Sequence, residues 1–357
     1  MLAREFPDVV PGILTGVSAG GINAAYLAAR PEPFADRVEN LSNVWCSLHI
    51  NDVFRVDVRD LTSRLVRWGG RLVSGGRVIL PTSRSLVDTE PLRQLLGRML
   101  QCEDGAINGI RRSLADGWLR AVALTASSYT TGQSVTWVHA REECGIRTWE
   151  RPQRKSVTCE FFRVDHVMAS AALPFFFPAV EVGGAWYGDG GIRLTAPLSP
   201  AVHLGARRII AVSTRYARSR EEADRPAVSG YPPPAQVAGV LYTAIFLDQL
   251  DADALQLQQV NALAERLPVD QRDGLRQIDL LMLRPSIDLG RLANEYEPDL
   301  PRAFRFLTRG LGTRETRSND MLSLVMFQSD YVRRLIDLGE EDAMRRVGEI
   351  RGFLRRP

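Results

Sequence analysis

A serine between two glycines is the first residue of this chain whose surroundings suggest chemistry. Ser18 lies in the run Gly16-Val-Ser-Ala-Gly20, which has the G-x-S-x-G spacing of a nucleophile elbow. In such an elbow a sharp turn exposes the serine hydroxyl, and the small residues on either side let a strand and a helix pack closely. The spacing therefore predicts that Ser18 attacks a carbonyl carbon as a nucleophile.

A serine nucleophile needs a base, and the candidate that the sequence offers is a distant aspartate. Histidine is the usual base, yet no histidine here has neighbours that mark it as the partner of Ser18. Asp189 ends an apolar segment and precedes Gly190 and Gly191. Its carboxylate could take the serine proton directly in a two-residue dyad, or it could only hydrogen-bond its own backbone in a turn. The histidines set aside here are His49, His139, His166 and His203.

The elements around Ser18 must form a strand, a turn and a helix for an elbow to exist. Residues 12–15 predict a short strand, and the alanine-rich run from Ala19 to Arg30 favours a helix. Backbone amides at the start of that helix, that of Ala19 first, then face the hydroxyl. Together with the helix dipole they would stabilise negative charge on the attacked carbonyl oxygen. The context that a G-x-S-x-G pattern requires is therefore present in the sequence.

The elements before Asp189 are predicted to be a helix and a hairpin. A helix is expected over 161–172, where Pro174 stops it. Gly183 and Gly184 interrupt two short apolar runs, which is typical of a tight turn between strands, and the second run ends in Asp189. Three aromatic rings that follow Pro174 either line an acyl-chain groove beside the elbow or fill the space beneath the strand. These rings belong to Phe175, Phe176 and Phe177.

The motifs around Ser18 and Asp189, with the run from Ala169 to Pro178 between them, resemble those of the patatin-like phospholipases. This family consists of serine acyl hydrolases with a Ser-Asp dyad. The order of the motifs along the chain matches the family as well, and the resemblance covers roughly 11–215. Weaker similarity lies at 86–92, 121–125, 131–133 and 197–212.

The resemblance implies a layered α/β sheet with helices on both faces and a nucleophile elbow, followed by a helical C-terminal extension. It implies that Ser18 forms an acyl-enzyme with a phospholipid or another lipid ester, as a phospholipase A or lysophospholipase does, while Asp189 acts as the base. Ala19 would contribute to the oxyanion site, and Gly190 and Gly191 would shape the turn at the acid. No cofactor and no metal ion is implied. Acyl transfer to an alcohol or amine would use the same intermediate and stays an alternative.

One part of the family pattern has no counterpart ahead of Ser18. Family members usually have a strand and a glycine-rich loop before the elbow, and the loop amides form the oxyanion hole. No run of glycines precedes Ser18 in this chain, so either the true start lies upstream or the protein lacks the loop. Because the loss of one oxyanion donor costs about two or three orders of magnitude in rate, a catalytically impaired lipid- or protein-binding module is the second hypothesis.

Composition limits the classes of partner and compartment. The net charge of +3, from 45 basic and 42 acidic side chains, gives no reason to expect nucleic acid binding. Four widely spaced cysteines predict no metal site and favour a reducing, cytoplasmic environment. No apolar run reaches the ~18 residues of a membrane-spanning helix. Arginines and Trp68 within 51–82 predict either a basic surface for peripheral membrane contact or a solvated helical excursion.

The remaining pattern predicts one main domain and a helical tail. We expect an N-terminally incomplete α/β domain over 1–299, in which a mobile linker at 215–234 and a long helix at 236–267 form an excursion before the chain returns as a strand. A helical tail over 300–357 is expected to pack on that domain, with Gly339 as a helix break. The oligomeric state stays open.

Overall fold

The computed structural model describes residues 1–55, 85, 87–144, 148–224, 230–232, 234–272, 275–300 and 320–355. Its strands form one seven-stranded mixed sheet and one separate pair. The strands are β1 Ile13–Gly16, β2 Ala121–Ser128, β3 Ser134–Ala140, β4 Glu150–Arg151, β5 Arg154–Thr158, β6 Val180–Val182, β7 Ala185–Asp189, β8 Arg208–Val212 and β9 Asp279–Leu283.

Helices cover the sheet and form the C-terminal part of the chain, which confirms the predicted α/β class with a helical extension. They are α1 Leu2–Glu5, α2 Ala19–Ala29, α3 Phe34–Cys46, α4 Ile50–Val53, α5 Glu90–Met99, α6 Asn108–Ala115, α7 Val164–Ser170, α8 Ser199–His203, α9 Arg220–Ala223, α10 Pro234–Tyr242, α11 Asp248–Arg266, α12 Leu289–Tyr296, α13 Asp320–Val325, α14 Ser329–Arg345 and α15 Val347–Leu354. A π-helical turn, Thr243–Leu247, connects α10 to α11.

Strand β2 is the centre of the larger sheet. All eight of its residues are buried, as expected of a continuous run of small and apolar side chains that is covered on both faces. Side chains alternate along the strand, so Val122 and Leu124 point into the main core while Ala121 and Ala123 pack with Leu204 on the other face. Helices on both faces therefore cover β2.

Both edges of β2 are paired, and one of them is shared by two strands. The antiparallel strand β3 runs along one edge, and β5 and β4 extend the sheet beyond it. On the other edge β1 pairs parallel with Ala121 to Leu124, and β7 pairs antiparallel with Ala126 to Ser128. As predicted, β6 and β7 form a hairpin that turns at Gly183 and Gly184, which both have positive φ.

Strands β8 and β9 form a parallel pair apart from the larger sheet. Among the described strands, none hydrogen-bonds to the edge of β1 that faces away from β2. Between that edge and β8 lies a groove of about 1440 Å³, which α8, α11 and the last helix also line. The two sheets are thus separated where β1 and β8 face each other.

The C-terminal helices differ from expectation at one point. The predicted break at Gly339 is wrong, because α14 continues through it and ends at Arg345. A glycine inside an exposed helix costs about 1 kcal/mol relative to alanine, and local contacts such as the Arg334–Glu341 ion pair at 3.1 Å offset part of that cost. The expected amphipathic surface around Trp68 lies outside the described residues.

Candidate active site

Strand register brings Ser18 and Asp189 together from distant parts of the chain. Strand β1 runs parallel to β2 and ends with Gly16 opposite Leu124, whereas β7 runs antiparallel to β2 and ends with Asp189 opposite Ala126. The two strands therefore run toward each other along one edge of β2, and their C-terminal ends meet beside Thr125. The chain leaves β1 directly into the turn that holds Ser18.

The turn at Ser18 has the backbone of a strained elbow. Ser18 has φ 55° and ψ −131° and is the N-cap of α2. A residue other than glycine in such a region costs about 1–3 kcal/mol and is held there by its surroundings. Here the amide of Ser18 donates to the carbonyl oxygen of Ser170 at 3.1 Å and lies 3.2 Å from its Oγ. The strand, strained turn and helix that an elbow requires are all present.

The two elbow glycines have different environments. A Cβ at position 16 would overlap the backbone carbonyl of Gly20, so the close approach of strand and helix requires Gly16. A Cβ at position 20 would meet no heavy atom within 4 Å. The backbone of Gly20 thus makes the close contact between strand and helix, while the Cβ position of Gly20 faces open space.

The start of α2 offers backbone donors beside the serine. The first amides of a helix have no intrahelical acceptor, so the amides of Ala19 and Gly20 are free of helical hydrogen bonds. Both residues are exposed, and the positive end of the helix dipole lies at the same place. This is the position that the sequence predicted for an oxyanion contact from Ala19.

Asp189 is buried, and one of its carboxylate oxygens has no donor. Oδ1 accepts a hydrogen bond from the amide of Gly191 at 2.8 Å, while Oδ2 has no hydrogen-bond partner within 3.5 Å among the described residues. Burial raises the pKa of Asp189 from 3.8 to about 6, although the Ser18 hydroxyl and the Gly191 amide act to lower it. The hydroxyl thus lies near the carboxylate, in a contact longer or less aligned than a formed hydrogen bond, which is common for catalytic pairs without substrate.

The glycines after Asp189 are required by close packing. A Cβ on Gly190 would overlap the carbonyl oxygen of Thr125 and the side chain of Val17. A Cβ on Gly191 would overlap the ring of Phe246. Neither glycine has positive φ, so their role is to let the acid segment approach β2 and its neighbours.

Two buried serines that the sequence did not single out support both segments. Ser170 Oγ donates to the carbonyl oxygen of Thr125 at 2.7 Å, and its own carbonyl receives the amide of Ser18. Ser127 Oγ donates to the carbonyl oxygen of Gly190 at 3.3 Å. Ser170 thereby connects the elbow to β2, and Ser127 connects β2 to the acid segment. The only sequence signal for Ser170 was its place in the small-residue run before Pro174.

Aromatic side chains near the acid were also missed. The ring of Tyr129 lies against Gly188, and the charge of Asp189 adds to burial in raising the pKa of Tyr129. Burial, and to a smaller extent the charge of Asp189, also raise the pKa of Tyr242. The ring of Tyr242 stacks on that of Phe246, with centroids 4.6 Å apart. Since Tyr242 and Phe246 lie in the helical excursion, local pattern gave no sign of their proximity to Asp189.

The three phenylalanines expected near the site are in two environments. Phe176 and Phe177 pack on Phe54 with centroids 5.1 and 6.0 Å away, and Phe177 is buried in the main core. That arrangement matches the space-filling alternative for these two rings. Phe175 is 77% exposed and has φ 65°.

His166, one of the histidines set aside as a base for Ser18, is buried in the protein. Its Nδ1 accepts a hydrogen bond from the amide of Arg163 at 3.0 Å, and its ring packs on Trp137 with centroids 4.8 Å apart. Burial lowers the pKa of His166 to about 4, so the ring is neutral at physiological pH. These contacts are those of a core histidine.

Comparison with known proteins agrees with the motifs. A family model described as Patatin-like phospholipase matches residues 7–202, which is more than half of the chain and includes Ser18 and Asp189. A search of curated proteins found no match. Within the described part of the chain, no helix is long and apolar enough to cross a membrane, and no group of three or more His, Cys, Asp or Glu residues is arranged to hold a metal ion.

Proposed function

Because the chain belongs to the patatin-like phospholipase family, whose members in general are lipid acyl hydrolases, we propose that Ser18 and Asp189 hydrolyse lipid esters through an acyl-enzyme. One observation carries this proposal: a fully buried carboxylate with an oxygen that no donor occupies lies beside the hydroxyl of a strained serine. A strained backbone and a buried, unpaired carboxylate are both costly to a folded protein, and their occurrence together is typical of a catalytic pair.

The proposed reaction has two halves. Ser18 Oγ attacks the ester carbonyl carbon as its proton passes to Asp189, and the tetrahedral intermediate then collapses with cleavage of the bond to the alkoxy group. Asp189 returns the proton to that leaving group, which departs as an alcohol. Water next attacks the acyl-enzyme, giving its proton to Asp189, and the carboxylic acid leaves as Ser18 regains a proton from Asp189.

The environment of Asp189 suits the role of base. An ordinary aspartate with a pKa near 3.9 is a weak proton acceptor at neutral pH. Burial raises the pKa of Asp189 to about 6, which makes the ionised carboxylate a stronger base while it remains mostly ionised at pH 7. No histidine is needed in this scheme.

The amide of Ala19 is the proposed donor to the oxygen that becomes negative. It belongs to the exposed start of α2, where amides lack intrahelical acceptors and the helix dipole favours negative charge. We assign no head-group site. The proposed substrate is therefore a lipid ester of the general kind that a phospholipase A or lysophospholipase cleaves.

The test is covalent labelling together with turnover. We expect a fluorophosphonate probe to label the protein, and the protein to hydrolyse both a soluble activated ester and a lysophospholipid. Ser18→Ala should lose the label and both activities, because the hydroxyl that attacks the probe and the ester is removed. Ser47→Ala, which changes an exposed hydroxyl at the end of α3, is the matched control. Labelling and turnover by Ser18→Ala at the level of the parent would refute the assignment.

A second candidate is a catalytically impaired module that binds lipid or a partner protein. The observation that favours it is the open side of the elbow, where no described strand pairs with the edge of β1 that faces away from β2. An oxyanion site limited to the amides of α2 would be about two or three orders of magnitude less effective for each missing donor. Absence of labelling and turnover, combined with retained binding to lipid vesicles, would favour this candidate.

A further inference from the structure

The segment that precedes α11 carries no charge over an unusual length. Every residue between Arg225 and Asp248 is uncharged, and those from Pro234 to Leu247 form α10 and the π turn. Surface helices of folded proteins normally present charged or polar side chains to water. A helix without charged residues that is not enclosed by its own chain therefore needs another apolar environment.

The inner side of this helix lies on the acid segment of the proposed active site. Phe246 is in such close contact with Gly191 that a Cβ there would overlap its ring, and Tyr242 stacks on Phe246. Thr243 Oγ1 donates to Asp320 Oδ2 at 2.9 Å, which fixes the π turn to α13. The helix is thus held at the site, next to the residue that follows Asp189.

The outer side of the same helix presents a row of large apolar side chains to water. Their spacing of three, four and eight residues places them on one helical face, which we call the outer stripe. Their exposed fractions are 37–59%. The outer stripe consists of Val237, Val240, Leu241 and Ile245. Because the inner side is occupied by Tyr242 and Phe246, the helix is apolar on both sides.

We propose that the outer stripe docks the protein on the surface of a lipid bilayer and so holds the active site at the interface. The inference rests on the proposed function, because a lipid ester hydrolase must meet its substrate in a membrane or aggregate. Phe246 connects the helix that bears the stripe to Gly191, two residues after Asp189, so a bilayer seated on the stripe would lie one helix away from the site. The stripe contains no hydrogen-bonding side chain that would specify a protein partner.

The proposed contact lies in the plane of the interface and is not a membrane span. Crossing a bilayer takes about 20 apolar residues, and the uncharged helical segment from Pro234 to Leu247 is shorter. Since the stripe has no basic residue, its attachment depends on burial of apolar area and not on attraction to anionic head groups. Binding should therefore change little between about 0.1 M and about 1 M salt, where ionic contacts at a surface are screened.

The experiment compares vesicle binding by charged variants of matched exposure. Leu241, in the stripe, is 59% exposed, and Leu263, on α11, is 57% exposed. With large vesicles of phosphatidylcholine, we expect Leu241→Glu to lower the partition coefficient at least about tenfold, since burial of one leucine is worth that factor or more. Leu263→Glu should bind as the parent does. Equal binding by Leu241→Glu and the parent, or no binding by the parent, would overturn the proposal.

A fluorescence variant provides a measurement that does not depend on loss of binding. Leu241→Trp should show a blue shift of emission when phosphatidylcholine vesicles are added, because its indole enters a less polar environment. Leu263→Trp should show no shift. If Leu241→Glu instead changes the molecular mass in solution and Leu241→Trp shows no shift with vesicles, the stripe is an interface between copies of the chain and the proposal is wrong.

Failure of docking and failure of the proposed chemistry are separable. The Ser18→Ala variant should bind vesicles as the parent does, because its outer stripe is intact. All stripe variants should hydrolyse a soluble short-chain ester at the parental rate, while Leu241→Glu should lose activity on vesicle lipid. Vesicle binding without any ester turnover would retain the docking proposal and reject the hydrolase.

Discussion

The two sides of Ser18 contrast in how closely they are packed. On the acid side, Gly190 lies against Thr125, and Ser170 connects the elbow amide to β2 through hydrogen bonds. On the other side, Ala19 and Gly20 are exposed, and the edge of β1 that no described strand pairs with borders a groove of about 1440 Å³. The two proposed roles therefore have different supports: strand register fixes the positions of Ser18 and Asp189, whereas the proposed stabilisation of the oxyanion would depend on the first amides of α2.

The largest expected effect comes from removing the base on the packed side. Asp189→Asn should lower kcat/KM for a soluble ester about 10²–10⁴-fold, the usual contribution of general acid–base catalysis. In the parent, kcat/KM should rise with pH to a plateau, with an apparent pKa of about 6, because the carboxylate must be ionised to accept the proton. Asp253→Asn is the matched control, since burial raises the pKa of Asp253 too, yet that residue bonds the amide of Leu198. Activity of Asp189→Asn equal to that of the control would contradict the dyad.

The same substitution should stabilise the protein at neutral pH. A rise in the pKa of Asp189 from 3.8 to about 6 means that the folded state holds a proton more tightly than the unfolded state. The contribution of Asp189 to stability is therefore greatest below pH 3.8 and falls by about 3 kcal/mol as pH rises through about 6. Asp189→Asn removes that penalty, so its melting temperature should exceed that of the parent at pH 8.

At pH 4 this advantage should largely disappear, because the parental carboxyl is then protonated in the folded state. Thermal unfolding at the two pH values measures the difference directly. A melting temperature difference between parent and variant that does not change with pH would mean that the buried charge is not its cause.

The elbow glycines sharpen the comparison between the packed and open sides. Gly16→Ala should destabilise the fold by about 1–3 kcal/mol or more, as overpacking does, because its Cβ would overlap the backbone of Gly20. Gly20→Ala, the matched control, should be neutral or stabilising by up to about 1 kcal/mol, since the new methyl group enters open space in a helix. Chemical denaturation of both variants tests this, and equal destabilisation would show that the two sides do not differ.

The smallest expected effect concerns the serine that joins the two segments. Ser170→Ala should cost about 1–3 kcal/mol of stability, because it leaves the buried carbonyl of Thr125 without its donor. As a positioning residue, Ser170 should affect kcat with little change in KM. Ser113→Ala removes an equally buried hydroxyl from α6 and should leave kcat unchanged. A parental kcat in Ser170→Ala would reduce Ser170 to a role in stability.

Much of the fold followed from local patterns because their causes are local. The apolar run of β2, the glycine turn between β6 and β7 and the alanine-rich start of α2 each reflect conformational preferences of neighbouring residues. The break expected at Gly339 was wrong because that prediction used a local preference alone. Intrinsic preference at one glycine is small, and contacts along α14 outweighed it.

The site was only partly accessible to such reasoning. Ser18 and Asp189 lie in recognisable motifs, but Ser170, Tyr242 and Phe246 do not, and each reaches the site through packing between distant elements. That the Cβ position of Gly20 faces open space could not be known from the sequence, because it depends on how α2 is oriented against its neighbours. Exposure of the outer stripe was likewise hidden, because Val240 and Ile245 read equally well as core residues.

By itself, the sequence determined the elbow, the acid segment and the elements that carry them, because helix and turn preferences act over a few residues. The tertiary structure decided that β1 and β7 meet at Thr125, that Asp189 is buried with an unpaired oxygen, and that an uncharged helix lies against Gly191. These features depend on strand register and on contacts between residues far apart in the chain, and neither is specified by any short segment alone.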